Sequence, residues 1–193
     1  MQSIANKRGL ITKIAALVLS CALWVGCSTT SKTAEQTDNG AIKTMVEQQS
    51  FEFIAEWANP LNTNGFNQIA TIGLLPPGSM ANQINLMGGS NYLRWQGDSV
   101  SAYLSYYGER QISGGYNQAT AIEFEGLPEN YTASYNPKKN RYEIRFDISH
   151  QVERYTVNAY LFPNKRFSMN VSSSHRQPIG YRGYAMAIEE SGP

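Results

Sequence analysis

Past position 27 this chain of 193 residues contains no cysteine, its two being Cys21 and Cys27. A mature domain without thiols has no disulfide, no thiolate nucleophile and no Cys-ligated zinc to draw on, so an ordinary apolar core must hold it together. Histidine is nearly as scarce: His150 and His175 are the two near-neutral acid-base groups. Neither sign of charge dominates. The formal net charge is +1 and becomes −2 without Lys7, Arg8 and Lys13, which gives nothing to attract nucleic acid. There is no nucleophile elbow of the G-x-S-x-G kind and no D-x-D-x-D-G calcium loop to recruit Asp98 or Asp147. No cofactor and no metal site is implied.

What is present begins with a two-part N-terminus. MQSIANKRGLITK carries three basic residues and no acid, and IAALVLSCALWVG, residues 14–26, carries no charge. That order is an n-region followed by an h-region. About 13 apolar residues rising ~1.5 Å each would span only ~20 Å of the ~30 Å hydrocarbon core, which disfavours a permanent transmembrane helix. The run ends on Val25-Gly26-Cys27 and gives way to STTSKTAEQTDNG, polar as a flexible tether should be. Val25, Gly26 and Cys27 resemble the lipobox of bacterial lipoproteins, with Trp24 where Leu is usual. Cys21, after Val18-Leu19-Ser20, is a competing acceptor that would leave a shorter h-region. The resemblance implies lipidation of Cys27, a membrane as partner through the N-terminal lipid and, with Ser28 following, an outer-membrane location facing the periplasm. Two or more acyl chains make such an anchor stable where one does not. The expected organisation is a signal peptide over 1–26, a tether over 27–40 and a β domain over 41–193.

Ile42, Met45 and Val46 stand at i, i+3, i+4 and predict a short amphipathic helix over Ala41–Gln49, with Asp38 or Asn39 as cap. The period then drops to two. Phe51, Phe53, Ala55 and Trp57 share one face while Glu52 and Glu56 take the other, a half-buried strand that Pro60 ends. Residues 61–80 form a long Gly/Asn/Pro segment with Ile69, Ile72, Leu74 and Leu75 available to bury it as a flap. Strands follow at 83–87, 92–96, 99–106, 121–125, 131–135, 141–148, 153–162 and 166–172, with Tyr181 to Ile188 as a last strand or turn. Their links include Gly97-Asp98 and Asn136–Asn140, both readable as hairpin turns. About eight strands without intervening helices predict a mainly β fold, a single antiparallel meander closed as a barrel or a two-layer sandwich.

FEFIAEWANP at 51–60, YLRWQGDSVSAYLSYYG at 92–108, AIEFEG at 121–126, YEIRF at 142–146 and LFPNKRFSMNVSSSHRQPIGYRGY at 161–184 together resemble the domain of unknown function 4251 family, small exported proteins of Gram-negative bacteria. Trp57 and the segment 61–80 look individual. The resemblance implies fold and export; no activity comes with it.

Three groups of residues could carry chemistry. His150 with Asp147 and one of Ser172, Ser173 or Ser174 would make a Ser-His-Asp set, but residues three apart on a strand point to opposite faces. Glu123 and Glu125 share a strand face, as a carboxylate pair for glycoside hydrolysis would, yet alternating acids on a wet face are common. Tyrosine is abundant at 12, and its broad apolar face with a polar tip suits stacking on sugars or anchoring a protein contact. Tyr103, Tyr107 and Tyr116 flank the Gly-rich stretch 108–118, and Arg176, Tyr181, Arg182 and Tyr184 mix planar cations with rings near the end. These seven are the expected ligand or partner contacts. The sequence favours a non-enzymatic envelope lipoprotein that binds an envelope protein or small ligand. A hydrolase of an envelope glycan or peptide, and a structural lipoprotein without ligand, are the alternatives.

Overall fold

The computed structural model describes residues 32–61, 75–112 and 121–188, with 32–39 given by their backbone. The signal segment, Cys21, Cys27, Ser28, most of the expected flap and Tyr116 lie outside these. By internal contacts the chain divides into Met1–Ala34 and Glu35–Pro193, and the second unit is the β domain.

Among the described residues ten strands follow one helix: α1 (Lys32–Glu47), β1 (Ser50–Pro60), β2 (Ile84–Asn85), β3 (Tyr92–Gln96), β4 (Ser99–Ser105), β5 (Ala121–Gly126), β6 (Glu129–Asn136), β7 (Arg141–His150), β8 (Glu153–Leu161), β9 (Arg166–Ser173) and β10 (Ile179–Ala187). The strands form a single sheet in the order β5-β4-β3-β1-β10-β9-β8-β7-β6, with β2 beside the second half of β1. Every pairing is antiparallel. Alternation sets the inward face: on β7 Ile144, Phe146 and Ile148 are buried while Arg145 is exposed, because successive residues of a strand point to opposite sides.

The expected closure is not what forms. The sheet curls into an open half-barrel rather than a closed barrel or a two-layer sandwich. Its two edge strands, β5 and β6, are consecutive in the chain and joined through Leu127-Pro128. No ladder joins β5 to β6; rings meet across the gap, with Phe124 6.4 Å from Phe146 and 5.4 Å from Tyr155, and beyond β4 a single backbone bridge pairs Arg110 with Arg176. At the start of β6 the register against β7 shifts between Glu129 and Thr132. Offset and edge-to-face ring contacts contribute about 0.5–1.5 kcal/mol each beyond area burial, and need no strand register.

The core fills the hollow of the curl. Trp95, Phe51, Phe53, Phe124, Phe146 and Tyr181 are its largest buried side chains. Helix α1 covers one mouth with Ile42, Met45 and Val46, as the spacing predicts, but begins at Lys32 inside the stretch read as tether, where Ala34, Glu35 and Gln36 are good helix formers. Gln49 ends the helical region at φ 51° and its carbonyl accepts the Gly97 N–H at 3.0 Å. Leu75, at the end of the expected flap, packs against the core.

One glycine decides how β1 meets β10. A Cβ at Gly183 would overlap the Ile54 carbonyl oxygen and lie 3.0 Å from the Phe167 ring. Phe167 in turn stacks on Phe53 at 4.6 Å. Just beyond, Ala55 pairs with Gly183 but Trp57 pairs with Arg182, so Glu56 is an extra residue that bends the central strand.

Candidate functional site

Two hairpins build the most distinctive outer surface. Gly97, at φ 61°, turns β3 into β4 and sets Tyr92 opposite Tyr103 and Arg94 opposite Ser101. The next pairing sets Tyr103 opposite Glu123 and Ser101 opposite Glu125. Since residues opposite each other share a face, two tyrosines and two carboxylates stand side by side on the outside of the sheet. They line a shallow groove of about 570 Å³, reached also by His150 from the end of β7 and by Ser90. Tyr103 is 40% exposed, so its ring is available. Arg94 is committed elsewhere: it bonds Glu52 at 3.0 Å and lies over the Tyr92 ring at 5.4 Å. Among the described residues neither Glu123 nor Glu125 has a cationic partner. The floor is rigid, for buried Asn91 accepts the Ser105 N–H at 2.7 Å and the Ala55 N–H, through its carbonyl, at 2.8 Å. Such a groove can stack a ring or sugar face and hold donors or an ammonium group on its carboxylates.

A second cluster lies inside. Glu153, the first residue of β8, takes the inward position that Tyr155, Val157, Ala159 and Leu161 continue. Its carboxylate accepts bonds from the Ser173 hydroxyl, from Arg176 Nε at 2.9 Å and Nη2 at 3.2 Å, and from Arg110 Nη2 at 3.2 Å. Arg176 also donates Nη1 to the Ala121 carbonyl at 2.7 Å and lies 5.2 Å from the Tyr106 ring. Burial pushes the Glu153 carboxyl up, but the bonds from Ser173, Arg176 and Tyr155 outweigh it and hold the group below its ordinary range. Burial pushes the Tyr155 and Tyr181 hydroxyls upward. Tyr181 donates to the Ser105 carbonyl at 3.0 Å.

The structure separates the six expected contacts that lie among the described residues. Tyr103 lies in the outer groove; Arg176 and Tyr181 are interior; Tyr107 is partly buried against the core. Arg182 and Tyr184 alternate with inward Tyr181 and Gly183 and face outward from β10. Asp147 is held by Thr156 at 2.6 Å, Asn130 at 2.9 Å and Arg154 at 3.4 Å. These bonds lower its carboxyl's pKa. Ser174 meets the neighbouring His175 ring at 2.7 Å, not His150. No group of three His, Cys, Asp or Glu among the described residues could hold a metal ion. Sequence reading did not single out Glu153, Tyr155 or Arg110. The available signal was parity, since Glu153 stands in line with four inward residues and demands a buried cation.

The family profile of DUF4251, described as a domain of unknown function, matches residues 33–185, from α1 into β10. The chain belongs to this family. Its fold is similar to the crystal structure of a DUF4251 family protein from Bacteroides eggerthii DSM 20697, with a TM-score of 0.55 and 8% identity over 83% of this chain and 95% of that one. No curated protein matches the sequence. At that identity the likeness concerns fold alone, so the DUF4251 assignment leaves the role to be argued from the groove.

Proposed function

We propose that this DUF4251 protein is a lipid-anchored module of the cell envelope, held through Cys27 at the outer membrane, that binds a small ligand in the outer groove of β3, β4 and β5 without transforming it. The carrying observation is the side-by-side placement of Tyr92, Tyr103, Glu123 and Glu125 with both carboxylates unpaired among the described residues. Stacking faces beside acceptors suit a polyhydroxylated ring bearing an ammonium group. Glucosamine oligomers titrated into the protein should shift the amide resonances of β3–β5, more strongly than their N-acetylated counterparts, and Tyr103→Ala with Glu123→Gln should abolish the shifts. Silence of the β3–β5 resonances toward both sugars would reject the groove as the site.

A hydrolytic reading draws on Glu123, Glu125 and His150 sharing that groove. Against it, both glutamates are exposed, whereas a general acid working near neutral pH needs a desolvated carboxyl. Turnover of an envelope glycan, peptide or ester that Glu123→Gln, Glu125→Gln and His150→Ala remove would reverse this preference.

A further inference from the structure

Among the described residues β6 has one neighbour, β7, and its four residues from Thr132 to Tyr135 are exposed on both faces. The other edge is different. On β5 Ala121, Ile122 and Phe124 are buried and Glu123 and Glu125 put charge on the exposed face, the usual way a sheet edge is guarded against pairing. From Asn130 to Asn136 β6 carries no charge, no proline and two tyrosines. Beneath it lies a groove of about 700 Å³ between the end of α1, with Val46 and Glu47, and the inner face of β6, with Tyr131, Ala133 and Tyr135, reached also by Tyr142. Tyr131 anchors one side against Trp95 at 4.5 Å, and Tyr135 leans on Tyr142 at 5.3 Å. An uncharged, exposed edge over Thr132–Asn136 beside an incompletely filled aromatic groove is a surface that can take another strand.

We propose that this strand is β6 of a second copy, paired antiparallel about a two-fold axis at Ser134, so that two half-barrels share one continuous sheet. The axis follows from the strand itself. Residues opposite one another must face the same way, so the axis passes through a residue, not between two. An axis at Tyr135 would set Pro137, which lacks an N–H, in the ladder; one at Ala133 would run Asn136 into Asn130, which stands at φ 53° in the irregular start of β6. Centring on Ser134 keeps the regular stretch Thr132–Asn136 paired along its length, with bulky Tyr135 beside the partner's small Ala133. Charge agrees. Beyond the ladder, the basic hairpin turn with Lys138 and Lys139 comes near the partner's Glu129 and Asp147, which at present share Arg154. Lys139 now reaches Glu143 at 3.9 Å and Glu129 meets Arg154 at 3.1 Å, surface pairs whose Lys139 and Glu129 side chains are 59% and 55% exposed and can exchange partners at little cost. The arrangement is isologous, each contact occurring twice, and closes at two copies because among the described residues each sheet offers one unguarded edge.

Register-specific disulfide trapping tests it. In the purified full chain carrying Cys21→Ser and Cys27→Ser, a single thiol is introduced as Ser134→Cys, Thr132→Cys or Glu123→Cys and mild oxidant is added. Directly opposite Cβ atoms sit about 4.5–5.5 Å apart, within a small adjustment of disulfide geometry. Two copies of residue 132 would lie four residues apart along the strands, roughly 13 Å, beyond reach. Ser134→Cys should therefore give at least tenfold more reducible dimer than either control, and Thr132→Cys mixed with Asn136→Cys should regain it. Ser134 is exposed, so the substitution leaves the core intact. Equal yields from all three positions would reduce the contact to random collision, and a monomeric Ser134→Cys protein under oxidant would assign the edge to a different partner; either result overturns the proposal.

Discussion

Replacing Arg176 with methionine keeps most of the buried stem and removes the charge, together with two bonds to Glu153 and the one to the Ala121 carbonyl. The Glu153 carboxylate is then left with Ser173, Tyr155 and Arg110. Stripping one partner from a buried ion pair costs about 3–5 kcal/mol, because the remaining charge stays desolvated. Arg110 still supplies a partial counter-charge, so the low end, about 3 kcal/mol, applies. For a domain of this size that lowers Tm by roughly 6–12 °C. Adding Glu153→Gln removes the stranded charge, and the double variant should be at least ~1 kcal/mol more stable than Arg176→Met alone, which is the signature of coupling. Thermal and urea unfolding followed by circular dichroism measure both. A single variant within about 2 °C of wild type, or a double variant whose losses simply add, would refute the account of Glu153 and Arg176 as one unit.

Gly183→Ala should cost about 3 kcal/mol through the forced shift of β1 or Phe167, while Gly180→Ala on the same strand, where a Cβ meets atoms at 3.6 Å or more, should stay close to wild type in urea midpoint. Asn91→Ala strands the Ser105 N–H and should cost about 1–3 kcal/mol, with faster amide exchange at Ser105 as the local readout. The lowered Glu153 and Asp147 carboxyls fix the sign of the acid limb. Their contribution is complete above the ordinary values of 4.5 and 3.8 and is lost as pH falls through the folded-state values beneath them. Urea midpoints measured from pH 7 to 2 should therefore drop mainly below about pH 4.5, and Arg176→Met should flatten that drop.

Strands with complete alternation were legible because a period of two leaves one way to bury Tyr142 to Ile148 or Val100 to Leu104. Pair order was not. Nothing local in Phe51–Trp57 says that β1 lies between β3 and β10, since those partners arrive 40 and 130 residues later and are chosen by packing across the core. The open side was equally hidden, as it depends on how β5 and β6 fail to align. For the groove, Tyr103, Glu123, Glu125 and His150 were each visible for a separate reason, but only the register of two hairpins brings them to one place. Arg beside Tyr suggests recognition, which puts Arg176 and Tyr181 among the expected ligand or partner contacts; the inward parity of Glu153 and of Tyr181 is the signal for their burial.

The link between β5 and β6 has a mechanical meaning. The strands at opposite ends of the sheet are tied by three peptide steps from Gly126 to Glu129, a leash of at most about 11 Å. Near that knot the two halves cannot swing apart, and any widening of the half-barrel must fan out from it toward the opposite mouth. Cutting the chain between Leu127 and Pro128 would turn a hinged clasp into a free-ended ribbon, held in its curl by ring contacts, by Arg176 and by the short backbone bridge between Arg110 and Arg176.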